Sequence, residues 1–311
     1  MIYRSFNGRE LPRPSSMLSH RFWLLGAFVS LARAVPTAIA PNYWFSFGDS
    51  YTQTGFDPTG VLPTVDNPLG NPAYPGWTAT GGANWVDQAT TVSNHSLVLT
   101  YNYAYGGATI NATLVAPYES TVLSLGDQVD QFLAQPDVGS GDKIWTSDNS
   151  LFSVWIGIND LGNSYYESGD RDAFNDVLLD NYFELVEKLY NTGARNFLFL
   201  NVPPTDRSPL MLAYDASVQA LLKACITDFN TKLAQRASDL ATSHSGVKTW
   251  VYDANSAFNK VLDDPTAFGF SDATSYGGAT DFWGNNLHPV SAAQVIFGDE
   301  VGNTTLADTV W

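Results

Sequence analysis

The stretch "YWFSFGDSYTQTGF", Tyr43 to Phe56, decides how the rest of the chain is read. Five apolar or small residues, 43–47, run without a charge and then break into Gly48, Asp49 and Ser50. An uninterrupted apolar run of this length, closed by a glycine, is the signature of a strand buried on both faces, which belongs to a parallel sheet covered by helices. Four further runs have the same character, at 97–101, 151–156, 196–201 and 247–252. Helical periodicity lies between them. Over 172–191, Phe174, Val177, Leu178, Tyr182, Leu185, Val186 and Leu189 recur at spacings of three and four, and Asn191-Thr192-Gly193 ends the pattern. A longer helix is predicted over 214–240, and shorter ones over 119–135 and 291–297. Alternating strands and helices predict an α/β fold, a three-layer α/β/α sandwich on a five-stranded parallel sheet. Residues 57–83 and 263–286, rich in Gly, Pro, Thr and Asn, are read as two extended loops rather than as linkers between domains.

In such a sheet, ligands bind beyond the carboxyl ends of the strands. Ser50 falls there, where a helix would begin, so it is either a helix cap or a hydroxyl aimed into a crevice. The second strand leads into Gly106 and Gly107, which let backbone come close to a ligand or simply make a tight turn. The third ends in Gly157 and Asn159, and that amide can satisfy a loop or donate to a developing oxyanion. A serine needs a base to act as a nucleophile. Of four histidines, His20 lies in an N-terminal leader, His95 in a sequon and His244 at a helix end, which leaves His288, in "DFWGNNLHPVSAAQ", ahead of the last helix.

The chain has 311 residues, 15 Lys and Arg against 31 Asp and Glu, and a formal charge of −16. That balance argues against nucleic acid or an anionic membrane as a partner. The order in "MLSHRFWLLGAFVSLARAVPTAIA", charge followed by an apolar run and small residues, is that of a secretory signal, with cleavage after Ala34. About ten apolar residues cannot span a bilayer as a helix. The chain therefore divides into a leader, 1–34, and a single catalytic domain, 35–311, that is expected to be secreted and extracellular. Export gives meaning to sequons at Asn94, Asn111 and Asn303, as candidate glycosylation sites. The lone Cys225, in a helical pattern, is read as a small buried apolar residue.

The ordered blocks resemble the SGNH or GDSL hydrolase family over roughly residues 42–298. The resemblance implies the flavodoxin-like SGNH fold. It also makes Ser50 the nucleophile, Ser50, Gly107 (with Gly106 the next choice) and Asn159 the oxyanion donors, and His288 the base. Within the family, "NYWFSFGDSYTQTGF", "NYAYGGAT" and "NVPP" are similar to the fungal secreted acetyl esterases. That implies deacetylation of acetylated xylo- or cello-oligosaccharides through an acyl-enzyme, with no metal or other cofactor. The alternatives are a lipase or phospholipase for longer acyl esters, or a weakened noncatalytic glycan-binding relative. A small ester substrate, no stable membrane insertion and a monomer are expected.

One position departs from the family's pattern. Three residues before the histidine the family has Asp, and this chain has Asn285. Three explanations follow: Asp281 reaches the ring, a backbone carbonyl orients it in a dyad, or the activity is weakened. For the substrate, Phe56, Trp77 and Trp283 are expected in the cleft because they lie on loops beside motif residues.

Overall fold

The computed structural model describes residues 40–311. The predicted leader, with its cleavage point and His20, lies outside the described residues. In chain order the elements are β1 (Asn42–Gly48), α1 (Trp85–Thr91), β2 (Val98–Asn102), α2 (Leu125–Ala134), β3 (Ser150–Trp155), α3 (Ile158–Gly162) and α4 (Arg171–Asn191). Then follow β4 (Asn196–Leu200), α5 (Pro209–Leu212), α6 (Ala216–Ser243), β5 (Lys248–Tyr252), α7 (Ala254–Asp263), β6 (Asp272–Tyr276), β7 (Asp281–Trp283) and α8 (Ser291–Glu300). All five strands of the main sheet run parallel in the order β2-β1-β3-β4-β5. This is the doubly wound order in which the chain reverses direction beside β1, and the crevice opens there.

The alternation of side chains along each strand sorts the aromatic residues into two layers. Phe45 and Phe47 point to one side, where they meet Phe132 of α2, and Phe45 also meets Phe152. Phe197 and Phe199 lie on β4 two residues apart, and Phe199 packs with Tyr182 of α4. Trp44 and Trp155 point to the other side, against Trp85 of α1, and Trp155 also meets Phe258 of α7. The polar residues of β1 and β3 on that side are paired, since Trp44 Nε1 donates to Ser153 Oγ, which donates to Ser46 Oγ. Cys225 is buried and free.

Two details differ from expectation. No helix follows β1: Ser50 stands in a turn, and the next helix begins at Trp85. Residues 263–286 are not simply a loop, because β6 and β7 pair there as a second, two-stranded sheet. Strands of five and three residues, the first reading Asp-Ala-Thr-Ser-Tyr, carry too little apolar alternation to be recognised from composition.

Candidate active site

Gln128, fully buried on α2, fixes the end of β1. Its amide accepts from Gly48 N at 2.9 Å and donates to Gly48 O at 2.8 Å. A side chain at Gly48 would collide with Trp155 O, so only glycine fits under β3 here. Asp49 turns the chain back: its Oδ1 accepts from Tyr51 N at 3.0 Å, and its carbonyl from Thr52 N and Gln53 N. This turn presents Ser50 to the crevice. Ser50 is thus not a helix cap, and its backbone N–H makes no hydrogen bond among the described residues.

Ser50 Oγ lies 2.6 Å from His288 Nε2, although 238 positions separate the two in sequence. The other ring nitrogen, Nδ1, lies 2.9 Å from Asn285 Oδ1. The same oxygen accepts the backbone N–H of Leu287 at 3.0 Å and of His288 at 2.8 Å. Those two donors decide which way the amide faces. With Oδ1 turned toward them, Asn285 can only accept from the ring, so Nδ1 carries the proton and Nε2 is left with a lone pair facing Ser50. A neutral amide therefore selects the tautomer a general base requires.

Asp281 is a correction to the expectation that it reaches the ring. Its Oδ2 accepts Gly278 N at 2.8 Å, within the β6–β7 turn, while Asn285 occupies the place at Nδ1. The backbone-carbonyl dyad is likewise not what the ring meets. Tyr51 adds indirect support, its hydroxyl donating to Leu287 O at 2.5 Å with its ring 5.3 Å from that of His288. Burial lowers the His288 pKa to about 4, as expected for an imidazole with no carboxylate beside it.

The other candidate donors lie on the glycine loop and at the start of α3. Gly107 has φ +81°, and its N–H, like that of Ser50, is uncommitted among the described residues. Asn159 Nδ2 donates to Ala108 O at 2.9 Å, which leaves its second hydrogen free, and the neighbouring Asp160 accepts Ile110 N at 3.0 Å. These two bonds tie the start of α3 to the glycine loop. Gly157, at φ +115°, starts α3, and a Cβ there would press on Val202 and Phe229. Behind the site, Asp49 and Asp160 are both fully buried, each with an Oδ2 that lacks a partner. Burial pushes Asp49 up to about 8, with Asp160 adding to the shift, and pushes Asp160 up to about 7. Near neutral pH Asp49 is thus held mostly protonated and Asp160 in part.

The remaining expected residues fall into three groups. Trp77 is 71% exposed and lines a cleft with Phe56 beside the glycine loop. Trp283 is a correction: it is 0% exposed, donates to Ala273 O at 2.9 Å and packs against Phe258 and Phe282. Its position two residues before Asn285 brings it near the site in sequence, but its ring is part of the core. Of the sequons, Asn303 is exposed, while Asn94 and Asn111 are half-buried with amides donating to Ser96 O and Asn181 Oδ1. His95 and His244 have structural partners, Gly302 O and Glu187. Residues that sequence reasoning missed are Gln128, Gln53 and Tyr118, which act through contacts across loops and carry no spacing signal.

A hydroxyl on an imidazole of fixed tautomer, with three uncommitted donors beyond the same ends of a parallel sheet, is the arrangement of a serine hydrolase acting by acyl transfer. The family model for GDSL-like Lipase/Acylhydrolase matches residues 45–301, and the chain belongs to that family. It is 43% identical over 258 residues to an acetylesterase of Thermothelomyces thermophilus, covering 81% of this chain and 84% of that protein. GDSL esterase/lipase 1 of Arabidopsis thaliana is 25% identical over 189 residues, covering 55% of this chain and 49% of that protein, so the chain spans about half of this plant relative. Among solved structures, a carbohydrate esterase family 2 enzyme with a carbohydrate-binding domain from Corynascus thermopiles superposes with a TM-score of 0.49 at 18% identity, over 89% of this chain and 69% of that one.

Proposed function

We propose that the protein is a secreted serine esterase that removes acetyl groups from acetylated sugars, with xylo- and cello-oligosaccharides as the substrate class. The contact of Ser50 Oγ with His288 Nε2 at 2.6 Å carries the reading, because it sets a base on a nucleophile in the absence of substrate. Ser50 attacks the ester carbonyl while His288 takes its proton at Nε2. Charge on the carbonyl oxygen is met by the N–H groups of Ser50 and Gly107 and by the free hydrogen of Asn159 Nδ2. The imidazolium then protonates the departing sugar oxygen, and an acetyl-Ser50 ester remains. In the second half His288 deprotonates a water, which attacks that ester, and the imidazolium returns the proton to Ser50 Oγ as acetate leaves. Throughout, Asn285 Oδ1 accepts the hydrogen bond donated by His288 Nδ1–H.

One observation supports acetyl over long acyl groups. The 43% identical relative is an acetylesterase. Among the described residues no helix is long and apolar enough to cross a membrane.

The test compares 4-nitrophenyl acetate, butyrate and octanoate, together with acetate release from partially acetylated xylo-oligosaccharides. Acetyl preference with release abolished by Ser50→Ala is the expected result. Preference for octanoate assigns the protein to the lipase alternative. Glycan binding with no turnover, unchanged by Ser50→Ala, assigns it to the noncatalytic one. Passage of the expressed full-length chain into the culture medium, with the mature protein starting after Ala34, tests secretion.

A further inference from the structure

A cleft of about 420 Å³ opens beside the glycine loop, and Gly106 lies in its lining. A Cβ placed on Gly106 would stand 3.8 Å from Ser50 Cβ, so this wall of the cleft adjoins the nucleophile. Two of its side chains are large aromatics that the fold leaves in water, Trp77 at 71% exposure and Tyr118 at 72%. Neither is loosely placed. The indole of Trp77 lies on Gly55, where a Cβ would be 2.8 Å from Cε3, and the ring of Tyr118 lies on Gly107, where a Cβ would overlap it. Both glycines have positive φ, at +80° and +81°, so each ring is seated on bare backbone that no other residue supplies without strain. A backed ring has one face fixed and the other open, which is what a flat ligand needs.

Polar groups surround the rings. Gln53 Nε2 donates to Trp77 O at 3.3 Å, and its Oε1 lies against Gly106, so one amide links the Trp77 loop to the glycine loop. Asp57 and Gln131 add further hydrogen-bonding side chains to the lining. A lipid surface would call for aliphatic side chains at the rim, whereas aromatic faces set among amides and a carboxylate suit a ligand with an apolar ring face and a hydroxyl edge.

The geometry points to this cleft as the subsite for the sugar portion of the substrate, one pyranose ring stacking on Trp77 and a second on Tyr118, with the acetyl group delivered past Gly106 to Ser50. This assignment rests on the sugar-ester reading and names the residues that set its specificity. Because Tyr118 also covers Gly107, a sugar on that ring lies directly beside an oxyanion donor. Trp77 is farther from the reacting atoms, so it reports on the subsite most cleanly.

The experiment uses the full chain in two arms. In the first, binding of a xylo-oligosaccharide without acetyl groups to Ser50→Ala is measured by calorimetry, with and without the added change Trp77→Ala. Binding weakened at least tenfold by Trp77→Ala, and partly restored by Trp77→Phe, is expected. In the second, kcat/KM of Trp77→Ala is compared on partially acetylated xylo-oligosaccharides and on 4-nitrophenyl acetate. The loss on the oligosaccharide should exceed that on the small ester at least tenfold, and should lie mainly in KM. Equal losses on both substrates, or unchanged binding in the first arm, overturn the subsite, as does Trp77-dependent binding to zwitterionic phospholipid vesicles in place of the sugar. Binding of the sugar lost with Trp77 but no acetate released by the unmutated enzyme would overturn the esterase reading and keep the cleft.

Discussion

Replacing Asn285 with Asp puts a charge where the structure has a neutral acceptor, and the consequence is measurable. The new carboxylate inherits the N–H groups of Leu287 and His288, at 3.0 and 2.8 Å, which favour its ionised form. It faces Nδ1 at the 2.9 Å now spanned by the amide oxygen. Opposite charges about 4 Å apart at an effective dielectric near 20 attract by about 4 kcal/mol, close to three pH units at about 1.36 kcal/mol each. Desolvation of the carboxylate takes back part of this. The His288 pKa should therefore rise from about 4 to 6 or above. In the pH profile of kcat/KM on a soluble acetate ester, the acid limb of the native enzyme lies near 4 and that of Asn285→Asp about two units higher. Above the new limb the base is stronger, and with a Brønsted coefficient of about one half the plateau rises roughly tenfold. In trypsin the reverse change, Asp to Asn, costs about 10⁴ in rate because it leaves the histidine in the wrong tautomer. Here the backbone already holds Asn285 as an acceptor, so no gain of that size is expected. An acid limb that stays at the same pH in both enzymes would refute the assignment of Asn285 to His288.

Three further outcomes follow from the same geometry. Asn159→Ala removes one oxyanion donor and should lower kcat by about 10²–10³ with a smaller change in KM, measured on 4-nitrophenyl acetate. Asp49, Asp160 and Asp87 are pushed by burial to about 8, 7 and 7, so the native state binds more protons than the unfolded chain between the ordinary carboxylate range and those values. Their contribution to stability is complete at acid pH and lost as pH rises, while His288 opposes it only between about 4 and 6.5. Thermal unfolding should therefore show Tm falling from pH 5 to pH 8, and Asp49→Asn should flatten that fall; a Tm that rises over this range overturns it. Trp283→Ala should cost about 3–5 kcal/mol in chemical unfolding through loss of core packing, and a fully stable variant with a raised KM alone would return Trp283 to the cleft.

Much of the fold was legible because its strands are short apolar runs separated by periodic helices. The bounds of β1, β3 and β4 differ from the sequence reading by a residue at most. The motif residues were legible for a related reason: strand ends gather in space, so Ser50, Gly107 and Asn159 fall at the same end of the sheet. His288 was reached through its place before α8 and by the exclusion of other histidines. The partner of its ring was not legible, because the choice between Asp281 and Asn285 depends on a turn in which Asn285 Oδ1 collects two backbone donors. Composition cannot show that turn. Trp283 failed for the opposite reason, since proximity in sequence to a motif says nothing about which side of a short strand a ring takes.

The grip of Gln128 on both faces of the Gly48 peptide joins the nucleophile to a helix on the side of the sheet where Phe45 and Phe47 pack, whereas Trp85 and Phe258 pack on the opposite side. Heat or denaturant that loosens α2 alone would thus shift Ser50 away from its base while the rest of the molecule keeps its shape. How long the enzyme lasts in use is then tied to the hold of that ten-residue helix on the sheet.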